Sequence, residues 1–293
     1  MWSADVQILA ATDFSTRSHR AVRRAGLLAR SSDAELALVH VVDDEQPEDL
    51  VEMERREAQR ILAEQIDVMA ELRGLRCRPV VVAGSPFDGI LRAAGSFRAD
   101  LIVMGAHRKQ LLRDIFVGTT VERVIRTGPY PVLMVNDEAR QPYRNILAAV
   151  DLSGPSANAI KAAESAGLIG GKGDTTFLHA FFPIAKSRMS MAMVDQSTIE
   201  EYVAGERQRA TNELVAFLAA NALGGAGLSV RVKEGKAFQV ISQAVEEMRP
   251  DLLVLGTHGR AGLLKVLLGS VTEEALRRLD VDILAVPPTT ATA

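Results

Sequence analysis

The stretch LGTHGRAGLLKVLLGSVTEEAL, residues 255–276, decides how this chain is read. An apolar run ends in Gly256. Gly259 follows three residues on, and after nine more residues Gly269 precedes the hydroxyl residue Ser270. Gly256 and Gly259 would let a loop bring backbone N–H groups close to an anion with no Cβ in the way. Gly269 opens a segment with helical spacing. The amides of Ser270 and Val271 would then face the same anion, with the positive end of the helix dipole behind them. The hydroxyls of Ser270 and Thr272 can add hydrogen bonds. The plainer reading is a strand, a turn and a helix whose glycines serve packing alone, and spacing by itself leaves both readings open. There is no G-x-x-x-x-G-K-[ST] P-loop, and no G-x-G-x-x-G follows the first apolar run.

Working outward, the same stretch occurs twice. DLIVMGAHRKQLLRDIFVGTTVERVI matches DLLVLGTHGRAGLLKVLLGSVTEEAL, VQILAATDFSTRSHRAVRRAGLLA matches RNILAAVDLSGPSANAIKAAESAG, AELALVHVV matches DTTFLHAFF, and YPVLMVN matches VDILAVP. Asp13 pairs with Asp151 at an offset of 138, and His40 with His179 at 139. From Gly84 with Gly235 onward the offset is 151. The second copy therefore carries about a dozen extra residues, most simply in PIAKSRMSMAMVDQ after its second strand. A unit of this length is a duplicated domain and not a solenoid repeat. The expected domains are residues 1–138 and 143–288, joined by a short linker.

Each copy alternates strand and helix. In the first, strands are expected at 6–12, 36–42, 80–83, 101–104 and 131–135. Helices are expected at 17–30 with Ser15 as N-cap, 48–73, 86–96 with proline in the first turn, and 117–127. Strands apolar throughout imply helices on both faces, hence a parallel doubly wound sheet in each copy. Ligands of such sheets sit outside the carboxyl ends of the strands where the order reverses. Residues 149–153, 179–183 and 255–260 converge there, which brings Asp151 within reach of a ribose.

Composition sets the outer bounds. The chain has 293 residues, 47% hydrophobic and 24% charged, with a formal net charge of −3. That is ordinary for a globular protein and gives no general electrostatic reason to bind nucleic acid or an acidic membrane. The single cysteine, Cys77, excludes an intrachain disulfide framework or cysteine metal cage. No secretory leader and no bilayer-spanning run is apparent, so the expected localisation is cytoplasmic.

With the repeat and the motif together, the chain resembles the universal stress protein family in its tandem form. The resemblance rests on TDFS and VDLS, LVHVV, and Gly256-x-x-Gly259-x9-Gly269-Ser270, and covers nearly the whole sequence. It implies two five-stranded parallel sheets of strand order 3-2-1-4-5, the adenine nucleotide alpha hydrolase-like architecture. It implies ATP as ligand, commonly with Mg2+ or Mn2+ at the phosphates. Carried over, adenine and ribose would lie against Val150, Asp151, Ala180 and Leu255. The phosphates would lie against Gly256, Gly259, Gly269, Ser270, Val271 and Thr272. It further implies that the last strands of the two copies meet, so that one chain is an intramolecular pseudo-dimer; a homodimer of whole chains is left open.

The first copy departs from the pattern. Gly105, Gly118 and Thr119 match, but Arg108 replaces the second glycine and Val121 stands where the second copy has Thr272. Arg108 either spoils the loop or supplies a guanidinium to a phosphate. The residues that would hold a nucleotide there are Thr12, Asp13, Val41, Met104, Gly105, Gly118, Thr119 and Thr120. His107 and His258 recur without a nucleophile beside them and read as loop residues. His40 and His179 read as core histidines with a satisfied hydrogen bond. No catalytic or metal-ligating residue is assigned. The leading expectation is an ATP-binding stress and signalling protein, a nucleotide-dependent conformational switch with little or no turnover, in which Arg260 and Lys265 flank the phosphates. A slow ATPase or nucleotidyl transferase, and a nucleotide-free interaction scaffold, are the alternatives.

Overall fold

A computed structural model describes residues 6–106, 119–169, 174–223, 229–257 and 268–288. The expected site residues Gly118 and Gly259, with His107, Arg108, His258, Arg260 and Lys265, lie outside them. The first copy runs β1 (Gln7–Ala11), α1 (Thr16–Ser32), β2 (Glu35–Val42), α2 (Glu48–Val68), β3 (Cys77–Ala83), α3 (Pro86–Phe97), β4 (Leu101–Gly105), α4 (Thr120–Thr127) and β5 (Val132–Val135). The second runs β6 (Asn145–Ala149), α5 (Gly154–Ser165), β7 (Asp174–Phe181), α6 (Lys186–Met191), α7 (Gln196–Ala220), β8 (Ser229–Glu234), α8 (Ala237–Met248), β9 (Leu252–Gly256), α9 (Ser270–Arg278) and β10 (Asp282–Val286).

Within each copy the strands are parallel in the order 3-2-1-4-5, as expected. The final strands pair antiparallel, Leu133 opposite Leu284, so the described residues form one ten-stranded sheet, β3-β2-β1-β4-β5-β10-β9-β6-β7-β8. Alternate residues of each strand feed opposite cores: Ile8 and Ala10 one face, Leu9 and Ala11 the other. Both cores continue across the junction, which is why these strands read as unbroken apolar runs.

Two boundaries differ from expectation. α2 stops at Val68 and not at residue 73, because Met69 and Leu72 turn back into the core, Leu72 beside Gly26 of α1. β3 begins at Cys77, three residues early. Pro79 is tolerated there because β3 is a sheet edge, where proline leaves no ladder bond unmade. The extra residues of the second copy form α6 and its flanks, and leave Met191 and Met193 exposed.

The junction also holds a buried polar cluster. Asp282 of β10 is fully buried. Its carboxylate accepts from the Tyr143 hydroxyl at 2.6 Å and from the amides of Asn136 at 2.8 Å and Asp137 at 3.0 Å. Arg24 of α1 stands 3.4 Å from it, an ion pair more than an aligned hydrogen bond, and its guanidinium lies 4.0 Å from the Tyr143 ring centroid. Arg24 also donates to the Gln141 carbonyl at 2.7 Å. Burial lifts the Asp282 carboxyl above its usual range against these partners, and chiefly burial lifts the Tyr143 phenol well above its own. First copy, linker and second copy thus meet on one carboxylate.

Candidate functional site

The site begins with a turn written into both copies as Asp-x-Ser. Asp13 accepts from the Ser15 amide at 3.0 Å, and Asp151 from the Ser153 amide at 3.1 Å and from the Ser153 hydroxyl. These Asx turns hold Phe14 and Leu152 at φ +61°, the left-handed region that side chains other than glycine rarely enter. Ser15 and Ser153 then cap α1 and α5. Burial pushes the Asp13 carboxyl up, but hydrogen bonds from Ser15 and Ser18 outweigh it, and the group lies below the usual carboxylate range.

Both core histidines behave as expected. His40 Nδ1 donates to the Thr12 carbonyl at 2.8 Å, and His179 Nδ1 to the Val150 carbonyl at 2.7 Å. A carbonyl only accepts, so this bond fixes the tautomer. Each histidine ties the end of its copy's second strand to the end of its first, beside the point between the first and fourth strands where the order reverses.

Two clefts open at these strand ends. The second copy's measures about 950 Å³ and brings together Val150, Asp151, Ala180, Leu255, Gly256, Gly269, Ser270, Val271 and Thr272, every expected residue within the described chain. The first copy's measures about 340 Å³ and brings together Thr12, Asp13, Val41, Met104, Gly105, Thr119 and Thr120. The larger cleft gains a wall that sequence reasoning missed: Ile184 beyond β7, and Glu206, Arg209 and Glu213 on α7, next to the expected Phe182. Phe182 and Ile184 are largely exposed. The one available signal was the length of the insertion beside them.

Three of the cleft residues also have structural roles. Gly256 does not have positive φ, and a Cβ there would meet the Pro155 carbonyl oxygen at 3.2 Å; at Gly105 it would meet the Arg17 carbonyl oxygen at 2.6 Å. The strand-end glycine therefore admits the backbone of the neighbouring helix. Thr272 donates its hydroxyl to the Gly256 carbonyl at 2.8 Å, a tether between β9 and α9. The Gly269 amide is likewise engaged, donating to the Thr257 carbonyl at 2.7 Å. Gly105→Ala should accordingly destabilise the chain by about 2–3 kcal/mol through overpacking, and Gly256→Ala by about 1 kcal/mol or less. Urea midpoints of the two variants check the order; equal losses would show that the close approach does not matter.

The helix starts at the two clefts differ. α4 closes its own first turn with a capping box: Thr119 Oγ1 accepts from the Glu122 amide at 3.2 Å, and the Thr119 amide donates to Glu122 Oε2 at 3.3 Å. α9 has Gly269 as its N-cap and no side-chain cap. First-turn amides lack intrahelical acceptors; the box answers the Thr119 and Glu122 amides of α4, whereas no side chain caps the start of α9 at the larger cleft. No group of three or more His, Cys, Asp or Glu suited to a metal ion occurs among the described residues, and no described helix is long and apolar enough to cross a membrane.

The pattern of the universal stress protein family matches residues 7–136 and again residues 142–287. The chain belongs to the universal stress protein family. Two domains of that family therefore stand in tandem, and the two clefts are corresponding places in them. Universal stress protein E of Escherichia coli K12 is 26% identical over 217 residues, 71% of this chain and 67% of that protein. The crystal structure of a universal stress protein from Archaeoglobus fulgidus covers 96% of this chain and 98% of its own at a TM-score of 0.69; at 18% identity it speaks to the fold alone. A universal stress protein crystallised in complex with cAMP is 27% identical, covers 45% of this chain and 98% of its own, and has a TM-score of 0.40.

Proposed function

We propose that the chain is a nucleotide-responsive stress protein whose second-domain cleft binds ATP and whose first-domain cleft does not, with domains at 1–138 and 143–288. The observation that carries this reading is the uncapped start of α9 in a cleft of about 950 Å³. A helix start without a side-chain cap turns its first-turn amides and the positive end of its dipole to the cleft, which favours a phosphate. Ala149, Ala180 and Leu255 supply an apolar surface for a base, and Asp151 a carboxylate for ribose hydroxyls. Gly259, Arg260 and Lys265 are the adjoining loop residues assigned to the phosphates. An Mg2+ or Mn2+ ion would arrive as the counter-ion of the nucleotide. The first cleft is about a third as large and its helix start is already capped, which adds to the departure at Arg108.

Binding is read as a switch and not as a fuel supply. ATP shifts such an equilibrium only by its difference in affinity for the two states. Calorimetry with MgATP on the full chain should give one site per chain. Hydrogen exchange should slow in the first turn of α9 when ATP is added. Two equivalent sites would overturn the asymmetry, and unchanged exchange at saturation would overturn the switch. A second reading, a nucleotide-free scaffold, draws on the exposed Phe182, Ile184, Met191 and Met193. Mass spectrometry of the co-purifying ligand separates it from the first, since a scaffold carries no nucleotide.

A further inference from the structure

The segment that leaves β7 is tied down on two sides. Lys186 Nζ lies 2.6 Å from Glu234 Oε1 at the end of β8, and the Ala185 amide donates to the Tyr202 hydroxyl of α7 at 3.3 Å. Phe182 and Ile184, just before these anchors, line the second cleft and are 62% and 74% exposed. Large apolar side chains held open to solvent at the mouth of a cavity mark a binding surface. Ala210 of α7 lines the same cleft, buried and too short to fill it. Among the described residues, none of α2, the counterpart of α7, lines the first cleft. This wall belongs to the second domain alone.

Its place along the cleft decides what it can hold. The strands of this domain lie in the order β9-β6-β7-β8. The start of α9 is bound to the end of β9, where the Gly269 amide meets the Thr257 carbonyl. Asp151 follows β6, and Phe182 and Ile184 follow β7, against which α7 packs. A nucleotide with its phosphates at α9 and its ribose at Asp151 therefore turns its base toward this wall. The charges there oppose a second phosphate: Glu206 and Glu213 outnumber Arg209, which Glu206 already holds at 2.6 Å. At about 950 Å³ the cleft has room to spare, since small-molecule sites span roughly 300–1,000 Å³. We propose that Phe182, Ile184 and Ala210 form an apolar subsite beyond the base, so that the preferred ligand is an adenine nucleotide whose base carries an apolar group on its outer edge. This rests on the nucleotide reading above and narrows its ligand class.

The probes are MgATP and its derivative with a benzyl group on the exocyclic amine, titrated into the full chain by calorimetry. Benzyl-ATP should bind at least about tenfold more tightly than ATP, the scale of burying one aromatic ring. Ile184→Ser should cut that preference by at least about threefold, and Phe182→Ser/Ile184→Ser should reduce it to within about twofold of parity. Both side chains are exposed, so the urea midpoint should not move. Equal affinity of the unaltered chain for the two nucleotides, or a preference that survives both variants, rules the subsite out. Benzyl-adenosine, which has no phosphate, separates the subsite from the nucleotide reading. If it binds the unaltered chain and not the double variant while neither triphosphate binds, the triphosphate reading fails and the apolar subsite stands. If ATP binds and the benzyl group adds nothing, the subsite fails and the nucleotide reading stands. If none of the three probes binds, both fail.

Discussion

Replacing Asp282 with alanine is expected to destabilise the chain by about 3–5 kcal/mol, the usual cost of stranding one member of a buried ion pair. The loss is large because Asp282 answers four groups at once. Without it Arg24, itself 4% exposed, keeps its charge in the interior with no carboxylate beside it. The amides of Asn136 and Asp137 and the Tyr143 hydroxyl lose their acceptor as well. Tyr143→Phe removes one donor of the carboxylate and should cost about 1–2 kcal/mol, since the acceptor keeps other partners. Urea unfolding of Arg24→Met, Asp282→Ala and the double variant measures the coupling. A coupling of at least about 1 kcal/mol is expected for groups in one network. Additive losses would mean that Arg24 and Asp282 are merely neighbours.

Gly269→Asp should separate folding from ligand binding by moving them in opposite directions. Gly269 is the N-cap of α9 at φ −61° and ψ 139°, a conformation open to any residue. Aspartate is among the preferred N-caps, so the variant should unfold at equal or slightly higher urea, by up to about 1 kcal/mol. Its carboxylate would take the first-turn amides and set a negative charge against the phosphates. ATP affinity should fall about a hundredfold, from the loss of charge-assisted hydrogen bonds worth about 1.5–3 kcal/mol each. Calorimetry and urea melts on the same preparation check both signs. Retained affinity would remove α9 from the nucleotide site.

The repeat made the fold legible. Once Asp13 and Asp151, and Gly105 and Gly256, fall into register, the alternation of apolar runs with helical periods leaves little besides two doubly wound sheets. Pairing of the last strands was what the family resemblance implied, and their apolar edges needed covering or pairing. Individual ends were less legible, because tertiary contacts set them: burial of Met69 and Leu72 cut α2 short, and an edge position let β3 run through Pro79. At the clefts, the sequence identified which residues gather but not what occupies their atoms. Gly256 and Thr272 line the larger cleft, yet one makes room for Pro155 and the other tethers a strand. Arg277 of the second domain meets Glu122 of the first across 155 residues of sequence. No local reading reaches that far.

The antiparallel contact between β5 and β10 has a hereditary consequence. In a pair of identical chains, any substitution arrives in both clefts together, so a change that spoils one spoils the other. Here the two halves are encoded separately but held together by the same backbone at every dilution. A substitution such as the arginine at position 108 can alter one cleft and leave its counterpart untouched. The junction therefore permits division of labour: one half is free to change while the other is kept as it is.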